Sequence, residues 1–291
     1  MHGHVHGVTQ LSRARAAPGT RAGFTGIAVA LAATLAFFPP IAAAAANEQV
    51  VEIATRPGQR VRALQLMPDK PAGSVILLAG GHGNLALTKD GRIGWGRANQ
   101  LVRTRADYAR NGFLTLVPDI APDLKRQQGV KQRYRFSKEH AADIGALVAH
   151  LRAIAPPVYL VGTSRAALSV ANAATRLAGP QRPDAIVMTS GMLMPVDAHQ
   201  PSVAATIDGL ARITQPVLLV FHADDACAYT QASSARPFKA LLTRTTKVDI
   251  ALLHGGPAGS GEPCEAFGHH GFFGQDAEVV TTVTKWLKTL R

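Results

Sequence analysis

The chain has 291 residues, of which 47% are apolar and 17% charged. That is enough apolar material for one large α/β domain or two small ones, and it excludes a chain disordered beyond its ends. The formal charge of +12 would admit nucleic acid as a partner, but the basic residues are dispersed apart from KRQQGVKQRYR at 125–135, and no nucleic-acid partner is expected.

Taken in chain order, residues 1–46 stand apart. Arg13, Arg15 and Arg21 precede the apolar run GIAVALAATLAFF at 26–38, which leads through Pro39 and Pro40 to a run of alanines. Basic, apolar and small-residue regions in that order predict a signal peptide, with Ala44-Ala45-Ala46 as the exit. The run is short beside the roughly 20 apolar residues of a membrane span; a retained anchor is the alternative to cleavage. Without the leader the charge falls to +9, because it carries three arginines and no acid. The expected location is therefore exported, periplasmic or secreted. There two cysteines, Cys227 and Cys264, are expected to be bridged.

From residue 47 onward strand-like and helix-like stretches alternate. QVVEIAT and QRVRALQLMP predict an antiparallel pair about a Pro57-Gly58 turn. GSVILLAGG at 73–81 is a continuous apolar run ending in glycines, the pattern of a strand buried on both faces. RANQLVRTRADYARNG predicts one helix ending at Gly112. FLTLVPD, PVYLVGT, DAIVMTSG, QPVLLVFHADD and KVDIALLHGG read as further strands. SKEHAADIGALVAHLRAIA, SRAALSVANAATRLAG, SARPFKALLTRT and DAEVVTTVTKWLKTLR read as helices, with Pro237 near the start of the third. In the last, Val279, Val280, Val283, Trp286 and Leu287 form a core stripe. This alternation predicts a mostly parallel central sheet with helices on both faces, whose reactive groups gather beyond the carboxyl ends of the strands.

Three strand ends carry chemistry. VYLVGTSRAALSV at 158–170 puts Ser164 where a strand must turn sharply into a helix, with Gly162 two residues before it and Ala166 two after. A serine there is either a helix N-cap or a nucleophile on a tight turn, close to G-x-S-x-G but with alanine for the second glycine. QPVLLVFHADD ends on Asp224 and Asp225. The loop after the last strand contains AFGHHGF, with His269 and His270. A serine hydroxyl needs a histidine to take its proton, and the histidine needs an acid to hold its tautomer and stabilise its cation. LLAGGHGN supplies glycines after the adjacent strand. The backbone N–H of Gly81 or His82, with that of Arg165, could bind an oxyanion. That segment lacks the spacing of a P-loop or a dinucleotide fingerprint.

The order serine, acid, histidine, with the motifs VGTSRAALSVANAA, FHADDAC and CEAFGHHGF, resembles the α/β-hydrolase superfamily and, within it, a group of exported bacterial serine hydrolases. The resemblance covers about residues 50–291. It implies an α/β-hydrolase fold in a single domain over 47–291, with Ser164 as nucleophile, Asp225 as acid and His270 as base. Asp224 and His269 stay as alternatives. It also implies an ester or related acyl substrate of small size, as for a serine esterase, an acyl-enzyme intermediate, and no cofactor. A Cys227–Cys264 disulfide would tie the acid loop to the histidine loop.

Residues 192–215 are too short for a large lid, so little or no lid domain and an open site bordered by this segment and the basic cluster are expected. That cluster is read as a solvated loop, with weak contact to anionic envelope surfaces as the minor alternative. Arg165 either faces the acyl pocket, where it would favour acidic substrates, or turns away into a salt bridge. Metal ligation is not expected: His254, Cys264, His269 and His270 lack the tight spacing of common sites. The rival reading in a different class is a non-catalytic binding protein of the cell envelope on the same scaffold, since a fold does not guarantee a function.

Overall fold

The computed structural model describes residues 47–127 and 132–291. The expected signal peptide and residues 128–131 of the basic cluster lie outside the described residues. The chain opens with a hairpin, β1 (Asn47–Arg56) and β2 (Gln59–Met67), turning at Gly58 with φ +72°. Six strands follow: β3 (Ser74–Leu78), β4 (Leu114–Pro118), β5 (Val158–Thr163), β6 (Ala185–Thr189), β7 (Val217–His222) and β8 (Val248–Leu253). They form one sheet in the order β1-β2-β4-β3-β5-β6-β7-β8. β1 with β2 and β2 with β4 pair antiparallel, and every later pair is parallel.

Both faces of the sheet are covered, as the unbroken apolar runs required. Along β3, Ile76 and Leu78 join one core, and Val75 and Leu77 join the other. Along β5, Leu160 faces the first core, while Tyr159 and Val161 face the second. This is the period-two alternation of a strand. The first core is roofed by α3 (Lys138–Arg152) and α4 (Ala166–Arg176). The second is roofed by α7 (Asp276–Lys288), through Val279, Val280, Val283 and Leu287. Ser137 caps α3 by accepting from His140 N at 3.1 Å. Among the described residues no helix is long and apolar enough to cross a membrane.

Two expectations need correction. The single helix expected before Gly112 is two short ones, α1 (Gln100–Arg103) and α2 (Arg105–Arg110), broken at Thr104. The Thr104 hydroxyl donates back to Gln100 O at 2.7 Å, and its ψ of 4° leaves helical geometry; such back-bonding competes with the next helical turn. The basic cluster is not simply a solvated loop. Tyr134 and Arg135 are both buried, and Lys125 pairs with Asp119 at 2.8 Å. Residues 192–215 form only α5 (Val203–Thr206) and a short 3₁₀ turn, and Val203, Ile207, Leu210 and Ile213 are buried in the first core. They thus pack down on the body of the protein, and no lid domain is present there. α6 (Ala235–Leu241) carries Pro237 in its first turn, where no intrahelical N–H is needed.

Candidate active site

β5 runs into α4 through Ser164, whose φ is +55°. A non-glycine residue in the left-handed region is strained, and the surroundings hold it there. Ser164 N donates to Thr189 O at 2.9 Å, and its carbonyl accepts from Ala167 N at 3.1 Å. Gly162 is required beneath the turn: a Cβ there would stand 2.6 Å from Val170 Cγ2 and 2.9 Å from Ala166 O. Ala166, in place of a second glycine, is fully buried as the first residue of α4. The helix is capped by Arg165 without any side-chain bond, so Ser164 is not a conventional N-cap. Its side chain is half-buried and lines a cleft of about 470 Å³.

The second half of the site comes from the loops after β7 and β8. Asp225 is buried. Its Oδ1 accepts from Cys227 N at 2.9 Å, and its Oδ2 accepts from the Thr230 hydroxyl at 2.8 Å. The same Oδ2 lies 3.1 Å from His270 Nδ1, which is also 3.0 Å from Thr230 Oγ1. With Nδ1–H committed to the carboxylate, Nε2 is left with the lone pair a base needs. His270 lines the cleft that Ser164 lines. Among the described residues no hydrogen bond joins Ser164 Oγ to His270 Nε2; such contacts commonly tighten only around substrate.

The neighbouring acid and histidine are placed differently. Asp224 is exposed. His269 stacks on the buried His222 with ring centroids 4.2 Å apart and planes 8° apart, and its Nδ1 lies 3.2 Å from Asp224 O. Two parallel imidazoles direct their lone pairs along parallel planes, a poor arrangement for sharing one ion although His222, Asp224 and His269 lie close together. Cys227 and Cys264 are joined, with Cα atoms 4.7 Å apart. The bridge links the loop bearing Asp225 to the loop bearing His270.

Of the expected oxyanion donors, Gly81 and Arg165 line the cleft, and among the described residues neither N–H has a partner. Gly81 lies under Trp95, with φ +52°, and a Cβ would come 2.6 Å from the indole. The His82 ring packs on Trp95 at 3.7 Å, and its carbonyl accepts from the Tyr134 hydroxyl at 2.8 Å. Burial, with the charge of Arg135, holds the His82 imidazole below its ordinary pKa.

Two arginines that sequence reasoning missed organise these loops. Arg135 is 2% exposed. Its Nη2 donates to Ala79 O, Gly80 O and Gly81 O at 2.9, 3.2 and 3.0 Å, and its Nη1 donates to Ser169 Oγ at 3.0 Å. With its carbonyls turned toward this buried fork, the glycine loop is free to turn its N–H groups elsewhere. Arg103 does the same for the histidine loop, donating to Gly271 O at 2.6 Å and Ala266 O at 3.2 Å while paired with Asp276 at 2.8 Å. Ser190 Oγ adds a bond to His270 O at 2.8 Å.

A second serine–histidine contact, Ser169 Oγ to His140 Nε2 at 2.9 Å, lies beneath the glycine loop. Ser169 is fully buried and accepts from Arg135, so it has no access to substrate. Burial above all, then Arg135, lowers the His140 pKa to about 3.

No protein-family profile matches the chain, and no curated protein matches it. Solved structures do. A soluble variant of monoglyceride lipase from Saccharomyces cerevisiae, in complex with a substrate analogue, is 10% identical, with a TM-score of 0.59 over 86% of this chain and 97% of its own. A dienelactone hydrolase from Anabaena variabilis is 13% identical, with a TM-score of 0.57 over 84% and 98%. An esterase from Pyrococcus furiosus is 14% identical, with a TM-score of 0.57 over 84% and 93%. With the strand order described above, these likenesses establish that the chain has the α/β-hydrolase fold.

Proposed function

We propose that the chain is an exported serine hydrolase that cleaves a small ester or related acyl bond. The observation that carries this reading is one cleft lined both by a serine at a left-handed strand-to-helix turn and by a histidine whose Nδ1 meets a buried aspartate. Ser164 Oγ attacks the acyl carbon while His270 Nε2 takes its proton. The N–H groups of Gly81 and Arg165 hold the oxyanion. His270 returns the proton to the leaving alcohol, which departs and leaves an acyl-enzyme. Water then attacks, giving one proton to His270; the bond between Ser164 Oγ and the acyl carbon breaks, His270 returns that proton to Oγ, and the acid is released. Asp225 orients the imidazole and stabilises its cation. Export is supported by the leader of residues 1–46 and by the Cys227–Cys264 bridge, since such bonds persist in oxidising compartments.

Labelling with a fluorophosphonate probe, which forms an adduct only with an activated serine, tests the chemistry. The oxidised protein is expected to label, and Ser164→Ala and His270→Ala are expected not to. A folded wild type that fails to label would shift the reading to a non-catalytic binding protein of the envelope. N-terminal sequencing of the protein recovered from the periplasm tests the export step, with Asn47 expected first.

A further inference from the structure

Most of the part-buried arginines are neutralised by a carboxylate: Arg56 by Asp123 and Asp143, Arg62 by Glu52, Arg103 by Asp276, Arg105 by Glu48, and Arg152 by Asp184. Arg165, next to Ser164, is held otherwise. It lines the cleft, and its Nη2 donates to Gln200 Oε1 at 3.2 Å. The Gln132 amide has one orientation that satisfies both its atoms, with the nitrogen donating to Gly81 O at 3.1 Å and the oxygen accepting from Arg165 Nη1 at 2.8 Å, and that orientation is assigned from these partners. Two neutral amides thus orient the guanidinium without cancelling its charge, and among the described residues no carboxylate lies within ion-pair distance of it. Arg97 lines the same cleft, is exposed, and has no ion-pair partner among the described residues. Among the described residues, Glu265 is the one acid in the cleft lining, and it pairs with neither arginine.

Attack by Ser164 forms the His270 imidazolium and the oxyanion together, and Asp225 already faces the imidazolium, so the reaction itself supplies no lasting counter-charge for the guanidinium. A carboxylate on the substrate supplies that counter-charge and gives the oriented fork a planar, bidentate partner.

We propose that the substrate is a carboxylate-bearing ester, whose free carboxylate is held by Arg165 with assistance from Arg97. This rests on the hydrolase reading. The matched substrates are para-nitrophenyl valerate and the mono-para-nitrophenyl ester of glutarate, which differ by a terminal methyl against a carboxylate. The wild type is expected to favour the glutarate ester in kcat/KM by about tenfold or more, the worth of one charge-assisted contact. Arg165→Met is expected to erase most of that ratio, Arg97→Met a smaller part, and added salt is expected to lower it. Equal turnover of the two esters, or a ratio unchanged in Arg165→Met, would overturn the proposal while leaving a labelled Ser164 and the hydrolase reading intact. If fluorophosphonate labelling fails, calorimetry with glutarate decides the subsite alone. Binding that is lost in Arg165→Met would uphold it, and no binding to the wild type would overturn it.

Discussion

The two halves of the site are built by different means. Ser164 and the glycine loop sit at the ends of adjacent parallel strands, β5 and β3, so the sheet register from Ser74↔Val158 to Leu78↔Gly162 places them. What remains is to aim a few peptides, and one buried guanidinium does so through three successive carbonyls. Asp225 and His270 stand on loops, and the histidine loop has little regular structure between β8 and α7. It is therefore stapled by a disulfide, an Arg103–Asp276 pair and the Ser190 bond to His270 O. Strand ends need aiming, whereas long loops need anchoring against conformational entropy.

The sharpest break should come from the groups proposed to react. Ser164→Ala or His270→Ala should lower kcat on an activated ester by about 10⁴-fold or more, with the fold unchanged by circular dichroism. Next is the aiming device. Arg135→Met strands several buried carbonyls, so urea unfolding should report a loss of about 3 kcal/mol. Misdirecting the N–H groups proposed to hold the oxyanion should lower kcat by about 10²-fold, with KM little affected. A loss of stability with kcat retained would show that Arg135 supports the fold and nothing more.

The anchoring of the other half should respond more mildly. Cys227→Ser with Cys264→Ser should cost about 2–4 kcal/mol in stability, together with a partial fall in kcat as the histidine loop loosens. Full activity at the original stability would mean that the remaining anchors suffice. The smallest effect at neutral pH is expected beneath the glycine loop. His140 is buried neutral, with its pKa lowered to about 3 from 6.5. The unfolded chain therefore binds a proton that the folded protein refuses. Stability from this group is complete above pH 6.5 and is lost as pH falls toward 3. His140→Gln should flatten that part of the Tm-against-pH curve while changing Tm little at pH 7. An unchanged acid limb would show that other groups govern it.

The apolar runs of β3 to β7 were legible because a strand buried on both faces has no polar positions to blur its ends. The division of one expected helix into α1 and α2 was not legible, because it turns on a single hydroxyl, that of Thr104, bonding back to Gln100 O. The cluster at 125–135 was misread in part for a related reason. Charge density says nothing about which side chain turns inward, and Arg135 is buried where the glycine-loop carbonyls and the Ser169 hydroxyl supply acceptors for it.

By itself the sequence determined the alternation of strands and helices, the sharp turn at Ser164, and the order in which serine, acid and histidine follow the strands. These are local matters of periodicity and of glycine and small residues beside a turn. Only the tertiary structure decided that Asp225 rather than Asp224 meets His270, that Gly81 rather than His82 lines the cleft, and that Arg165 is met by amides rather than by a carboxylate. Each depends on which way one side chain or peptide points, and that direction is set by atoms far away in the chain: Thr230 and Cys227 around Asp225, Arg135 beneath Gly81, and Gln132 and Gln200 on Arg165.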